Sequence, residues 1–193
     1  MSAAAVSTPA ATAVGEVVLQ ESVVTSAGAR KAIAFGRLAV GFVFVWAFLD
    51  KLFGLHFSTL PEKSWINGGQ PSQGFLSHAG EGTGYFLGGF FHAIASPASD
   101  VLFMLGLAGI GLALMLGIGL RVGAVSAVLL MAFMWIAEAP WVAGVGSTNP
   151  VVDYHVVYAA VAVIAALTLG GDTWGLGKWW ANLPVVRNNT WLR

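Results

Sequence analysis

Between Asp100 and Arg121 the chain reads VLFMLGLAGIGLALMLGIGL, twenty residues without a charge. At a rise of 1.5 Å per residue, a helix of that length is about 30 Å long, the thickness of a bilayer's hydrocarbon core. Three further apolar stretches flank it, at about residues 32–55, 122–143 and 154–171. Together they predict an all-α integral membrane protein, a four-helix bundle with a long outer loop between helices 1 and 2.

Composition supports that class. Of 193 residues, 57% are apolar and 9% charged, against about a quarter charged in soluble domains. The formal net charge is zero, so neither nucleic acid nor a strongly acidic partner is indicated. Cysteine is absent, which excludes disulfides, thiolate zinc sites, iron–sulfur clusters and a cysteine redox relay within this chain. Any redox role therefore requires a bound cofactor or a partner subunit.

Residues 1–29 are rich in Ala, Val, Ser and Thr, and Arg30 and Lys31 come only at their end. A signal peptide has its positive charge first, so this segment is expected to be a poorly ordered cytoplasmic tail. The four-span domain then covers residues 30–180, and 181–193 form a second cytoplasmic tail. Arg30, Lys31, Arg121, Lys178, Arg187 and Arg193 fall on one side of this topology, and only Lys51 and Lys63 on the other. The positive-inside rule places both termini in the cytoplasm. Trp141 at one level and Trp174, Trp179 and Trp180 at the other suit the two aromatic belts. Gly109, Ala113 and Gly117, and Ala162 and Ala166, recur every fourth residue, a spacing that lets membrane helices approach closely.

Counting from the cytoplasmic ends, Asp50, Lys51, Glu138, Asp153 and His155 all fall roughly 24–28 Å along their helices. Three helices thereby bring ionisable groups to one level near the outer boundary. Tyr158 lies one turn below His155, and Trp135 one turn below Glu138. Ionisable groups in membrane spans are commonly functional. Against that stands a plain alternative, in which Lys51 snorkels, Asp153 caps the fourth span and Glu138 merely precedes the break at Pro140. Arg37, deeper in the first span, has a structural charge role, by snorkelling or by pairing with Asp172. The outer segment from His56 to Ser99 holds a Gly/Pro-punctuated turn at Trp65-Ile-Asn-Gly-Gly-Gln-Pro. Residues 85–95 are aromatic and too short to span, as expected of an interfacial or re-entrant lid. His78 and His92 lack a second ligand pair at metal spacing, and no metal site is expected.

Four motifs carry a resemblance. They are Arg37-x-x-x-Gly41 with Lys51-Leu52, Trp65-Ile-Asn-Gly-Gly with Gly74-Phe75-Leu76, Asn149-Pro150-x-x-Asp153-x-His155-x-x-Tyr158, and Gly171-x-x-Trp174-Gly175-Leu176. In order and spacing, over about residues 30–180, the chain resembles the DoxX/DoxD family of bacterial membrane proteins. The resemblance implies a four-helix fold in the bacterial plasma membrane. It also implies a link to thiosulfate:quinone oxidoreductase, in which a DoxD-like chain sits beside a DoxA-like partner. On this reading the chain is a membrane subunit passing electrons from thiosulfate, or another reduced sulfur compound, to a quinone. Glu138 and His155 would be the catalytic proton carriers. Lys51, Asp50, Asp153, Trp135 and Tyr158 would bind substrate. The expected partners are the lipid bilayer and another protein subunit or a second copy. The alternative is a non-catalytic scaffold or assembly subunit of a respiratory or oxidant-defence complex.

Overall fold

The computed structural model describes residues 17–79, 85–142 and 149–193. The first sixteen residues of the expected tail, part of the outer segment (80–84) and part of the last outer link (143–148) lie outside the described residues. The described residues form helices and turns only. They are α1 (Gln20–Val23), α2 (Ala27–Phe53), α3 (Gln73–Ser77), α4 (Gly88–Ile94), α5 (Pro97–Leu116), α6 (Leu120–Glu138), α7 (Tyr154–Leu167), α8 (Gly177–Ala181) and α9 (Pro184–Asn188).

Three helices, α2, α5 and α6, are long and apolar enough to cross a membrane, each with a mean hydropathy of 2.0 over its best window. The helix of the fourth apolar stretch is shorter than expected. At 14 residues, α7 spans about 21 Å, and the chain then enters a 3-10 turn at Gly170–Asp172. Packing pairs α2 with α5 and α7, and α6 with α5 and α7.

Local chemistry sets the helix ends, and these differ from the apolar limits. α5 starts before its apolar run because Ser96 and Ser99 form a reciprocal capping box and Pro97 suits the first turn. It stops at Gly117, whose φ of 72° closes the last turn. The turn to α6 is therefore at 117–119, and Arg121 belongs to the helix. α6 ends at Ala139, with φ of 48°, immediately before Pro140. Proline disfavours helical backbone at the residue before it, so the expected span to residue 143 is cut short.

The helices are apolar on both sides. Met104, Leu107, Ile110 and Leu114 of α5 are buried, while Leu102, Leu105 and Leu112 are more than half exposed. Such a helix is at home when lipid covers its outer face. Inside, small residues set the spacing. A Cβ on Gly41 would lie 2.9 Å from Leu114 Cβ, and one on Gly111 would lie 2.7 Å from Val45 Cγ2, so α2 and α5 pack through these positions. The predicted stripe on α5 is only partly the contact surface. Gly109 faces open space, Ala113 meets Gly123 of α6, and Gly117 meets Gly171. Ala162 and Ala166 are buried as expected.

Two buried carboxylates organise the outer segment. Asp50 accepts from the N–H groups of Phe57 and Ser58 and from the Ser58 hydroxyl. Asp100 accepts from the backbone and side chains of Ser72 and Gln73, pinning α3 to the start of α5. The Tyr85 hydroxyl donates to the Ile136 carbonyl at 2.9 Å, and burial pushes its phenol pKa upward. These bonds fasten a lid of Leu76, Tyr85 and Phe91 over Ala137 and Ala139.

The N-terminal segment carries ordered contacts from Val17 onward, where the sequence suggested a loose tail. Gln20 is fully buried. Its backbone N–H donates to Asp172 at 2.8 Å, and its side-chain amide Oε1 accepts from the Thr173 hydroxyl at 2.6 Å. At the C-terminal end the Trp180 indole donates to the Leu192 carbonyl at 2.7 Å.

Candidate functional site

The site is assembled where α6 ends and α7 begins. Asp153 has extended backbone and caps α7, its Oδ1 accepting from the N–H groups of His155 (2.9 Å) and Val156 (3.4 Å). Its Oδ2 accepts from His155 Nδ1 at 2.9 Å. An ionised carboxylate only accepts, so this bond places a proton on Nδ1, and Nε2 is the ring nitrogen left to face outward from the pair. The His155 side chain is fully buried, and Nε2 has no hydrogen-bond partner. The nearest acid is Glu138, with Oε1 4.0 Å from Nε2, too long for a hydrogen bond but close enough for one intervening proton carrier to join them.

Glu138 reaches this place from the last turn of α6, with its side chain about a third exposed. Its Oε1 accepts from the Tyr154 hydroxyl at 2.9 Å. The Tyr154 ring leans on the imidazole, with centroids 4.0 Å apart, and Tyr158 lies between Tyr154 and Phe44 of α2. Trp135, one turn before Glu138, packs on Trp141 with centroids 4.5 Å apart, and its indole N–H is buried without an acceptor. Unpaired buried polar atoms are few in native proteins and each calls for an explanation.

Among the residues singled out in the sequence, Glu138, His155, Asp153, Trp135 and Tyr158 sit at this end of α6 and α7. Asp50 and Lys51 are bonded within their own turn. Asp50 is engaged with Phe57 and Ser58, and Lys51 donates to the Ser58 hydroxyl at 3.5 Å. Both serve the turn that folds back after α2. Tyr154 is the participant that sequence reasoning passed over; its only signal was adjacency to Asp153 at the start of an apolar run. Glu138, Asp153 and His155 each offer a ligand atom within 4.8 Å of the others. This cluster, rather than His78 and His92, is where a cation could be held, although Asp153 is already committed to His155.

Arg37 lies near the opposite end of α2 and is fully buried. It neither snorkels nor pairs with Asp172. Its guanidinium makes five bonds to carbonyls: Gly170 at 3.2 Å, Leu114, Met115 at 3.0 Å, Thr173 at 3.3 Å and Trp174 at 2.9 Å. The cation thus caps the C-terminus of α5, where carbonyl dipoles are free. Asp172 instead accepts from Gln20 N–H and from Arg193 at 2.9 Å. Close backbone packing builds the knot: a Cβ on Gly171 would lie 2.0 Å from the Gly117 carbonyl oxygen, and one on Gly175 would lie 3.1 Å from the guanidinium.

Among the described residues, fold and site together define a helical protein with three helices long and apolar enough to cross a membrane and a buried histidine, held by a partly exposed aspartate, facing a glutamate. No protein-family model, curated protein or solved structure matches the chain.

Proposed function

We propose that this is a multi-pass bacterial plasma-membrane protein in which α2, α5, α6 and α7 all cross the bilayer as a four-helix bundle, with both termini in the cytoplasm. It acts as the membrane subunit of a quinone-linked oxidoreductase, passing electrons from thiosulfate or another reduced sulfur compound to the quinone pool beside a partner subunit. The observation that carries this reading is the orphaned, buried Nε2 of His155, held by Asp153 and aimed at Glu138. The sulfur substrate rests on the resemblance of the motifs alone.

A quinone suits the polar atoms left over. The Trp135 indole N–H would donate to a quinone carbonyl, and His155 Nε2 would accept from a hydroxyl of the quinol product. A bound quinone supplies a carrier of two electrons and two protons. The chain's own residues supply the rest. Asp153 fixes the imidazole tautomer and orientation, as a carboxylate behind a histidine commonly does. Reduction of a quinone consumes protons; Glu138 would take them up and relay them to His155 through one carrier in the 4.0 Å gap, with Tyr154 steadying the Glu138 carboxylate. Partial exposure of Glu138 gives those protons an entry. Tyr158 packs between Phe44 and Tyr154, placing an aromatic wall beside the pair.

The test is thiosulfate-dependent reduction of a soluble quinone by the purified protein, alone and with whatever co-purifies. Turnover with the partner present is expected. A second reading, a non-catalytic scaffold, is favoured by one observation: Arg37, Asp50 and Asp100, all buried, are engaged by this chain's own backbone and side chains. A stoichiometric partner without turnover would favour the scaffold.

A further inference from the structure

His155 and Glu138 have between them the parts of a metal site. His155 is 1% exposed, and its Nε2 has no hydrogen-bond partner. That nitrogen faces Glu138 Oε1 at 4.0 Å. A divalent transition ion sits about 2.0–2.1 Å from an imidazole nitrogen and from a carboxylate oxygen, which holds the two roughly 3.3–4.1 Å apart, from a tetrahedral to a straight arrangement. The two atoms therefore already stand at a distance that an ion would set. The Glu138 side chain is about a third exposed. It has room to close by the roughly 0.7 Å that a tetrahedral angle asks for, and it gives an ion a way in from solvent.

The partners behind the two ligands complete the pattern. A histidine that binds a metal donates its other ring N–H to a carboxylate, carbonyl or water, and a metal-binding carboxylate is itself hydrogen-bonded. His155 Nδ1 donates to Asp153 Oδ2 at 2.9 Å, which fixes the ring with Nε2 toward Glu138. Glu138 Oε1 accepts from the Tyr154 hydroxyl at 2.9 Å, and a carboxylate keeps further lone pairs after one such bond. Glu138, Asp153 and His155 offer ligand atoms within 4.8 Å of one another. Asp153 is bonded to Nδ1 and so orients the ring rather than binding the ion. An imidazole nitrogen beside one carboxylate suits zinc-like ions, whereas magnesium and calcium take oxygen ligands.

We infer that His155 Nε2 and Glu138 bind one divalent transition ion of the zinc type, with Asp153 and Tyr154 orienting the two ligands and water in the remaining positions. Two protein ligands are fewer than the four of a structural zinc site, so the ion comes and goes. Seated there, it occupies the gap between Glu138 and His155 and shuts the proton relay. The binding stands apart from the quinone reading, and only this effect on turnover rests on it.

The experiment is equilibrium dialysis of the full, tag-free chain in detergent against Zn2+ and, separately, Mg2+. The chain should retain Zn2+ in a single stoichiometric site and should not retain Mg2+ at the same concentration. His155→Ala and Glu138→Gln should each weaken Zn2+ retention at least tenfold. The triple variant His56→Asn/His78→Gln/His92→Gln changes only exposed side chains, leaves His155 as the last of the four histidines, and should retain Zn2+ in full. Asparagine tolerates the left-handed backbone at His56. Because loss of a buried histidine can unfold a chain, Cu2+ bound to that triple variant gives a second readout, in which pulsed electron paramagnetic resonance should show coupling to a single imidazole. Absence of that coupling, no Zn2+ retention by the wild-type chain, or full retention in both His155→Ala and Glu138→Gln would overturn the inference. Zn2+ should also stop quinone reduction. Retention at His155 without turnover in any preparation would uphold the metal site and remove the quinone reading.

Discussion

Two buried side chains of this protein, Arg37 and His155, are treated in opposite ways by their surroundings. Around Arg37 the five guanidinium bonds go to five carbonyls, and three glycines bring the backbone close enough to supply them. Around His155 the bonds run out: Nε2 has no partner, Glu138 stands 4.0 Å away, and the Trp135 indole is unpaired. A satisfied buried charge holds structure together, whereas an unsatisfied one is a place for something the chain does not itself supply. The contrast gives Arg37 a structural role and leaves His155 as the place where the proposed chemistry is to be tested.

The largest effect expected of any substitution follows at the Arg37 end. Arg37→Met leaves several buried carbonyls without donors, and removing one side of a buried charged network costs about 3–5 kcal/mol. Thermal unfolding in detergent should show a folded fraction that collapses well below the wild-type temperature. Arg37→Lys should rescue little, since one ammonium cannot reproduce the planar fork. Gly171→Ala, placing a methyl on the Gly117 carbonyl, should act in the same direction by a similar mechanism. A mild outcome for either would break the contrast at its structural end.

A smaller effect is expected where a buried carboxylate ties the outer segment down. Asp100→Ala removes the acceptor for Ser72 and Gln73, costing about 1–3 kcal/mol for the donors stranded. The loss should be local, so hydrogen exchange should rise in residues 61–79 more than in α5 or α6. Uniform loosening of the whole protein would show that the lid and the bundle are a single unit.

Much of this architecture is legible in the sequence, because helices that cross lipid need unbroken apolar length and the chain has it. Helix ends are less legible. The Ser96–Ser99 box and the left-handed Gly117 and Ala139 decide them, and hydropathy is blind to capping. Depth counting brought Glu138, Asp153 and His155 to one level, since α6 and α7 run in opposite directions between short connections. The same count gave no sign of what Asp50 and Lys51 bond to. The chain turns back after Gly54 and presents the N–H groups of Phe57 and Ser58 to Asp50, a local fold with no periodic signature. Arg37 drew attention to Asp172 because charge suggests charge. Carbonyl groups that satisfy a cation leave no mark on composition, and the only trace was the run of glycines at 170, 171 and 175.

The smallest effect is expected at Glu21 and Lys178, an exposed pair at 2.8 Å. The hydrogen bond from Lys178 holds the Glu21 carboxyl below its ordinary value. Its contribution is present at neutral pH and fades as the solution is acidified through that lowered value. Exposed pairs contribute little, so Lys178→Ala should leave the unfolding temperature unchanged. A clear drop would show that the N-terminal segment is held by this pair rather than by Gln20 and Asp172.

The most direct test of the account is the rate of thiosulfate-dependent quinone reduction, per folded protein and with the native partner present, in Glu138→Gln and His155→Ala membranes. Glutamine still accepts from Tyr154, so the fold around Glu138 is kept while the proton carrier is lost. The account predicts a loss of at least a hundredfold in both variants, consistent with the usual worth of a positioned acid or base, and the wild-type rate in Lys178→Ala. Wild-type rates in Glu138→Gln and His155→Ala would contradict it, leaving the unsatisfied end of the molecule without a catalytic role.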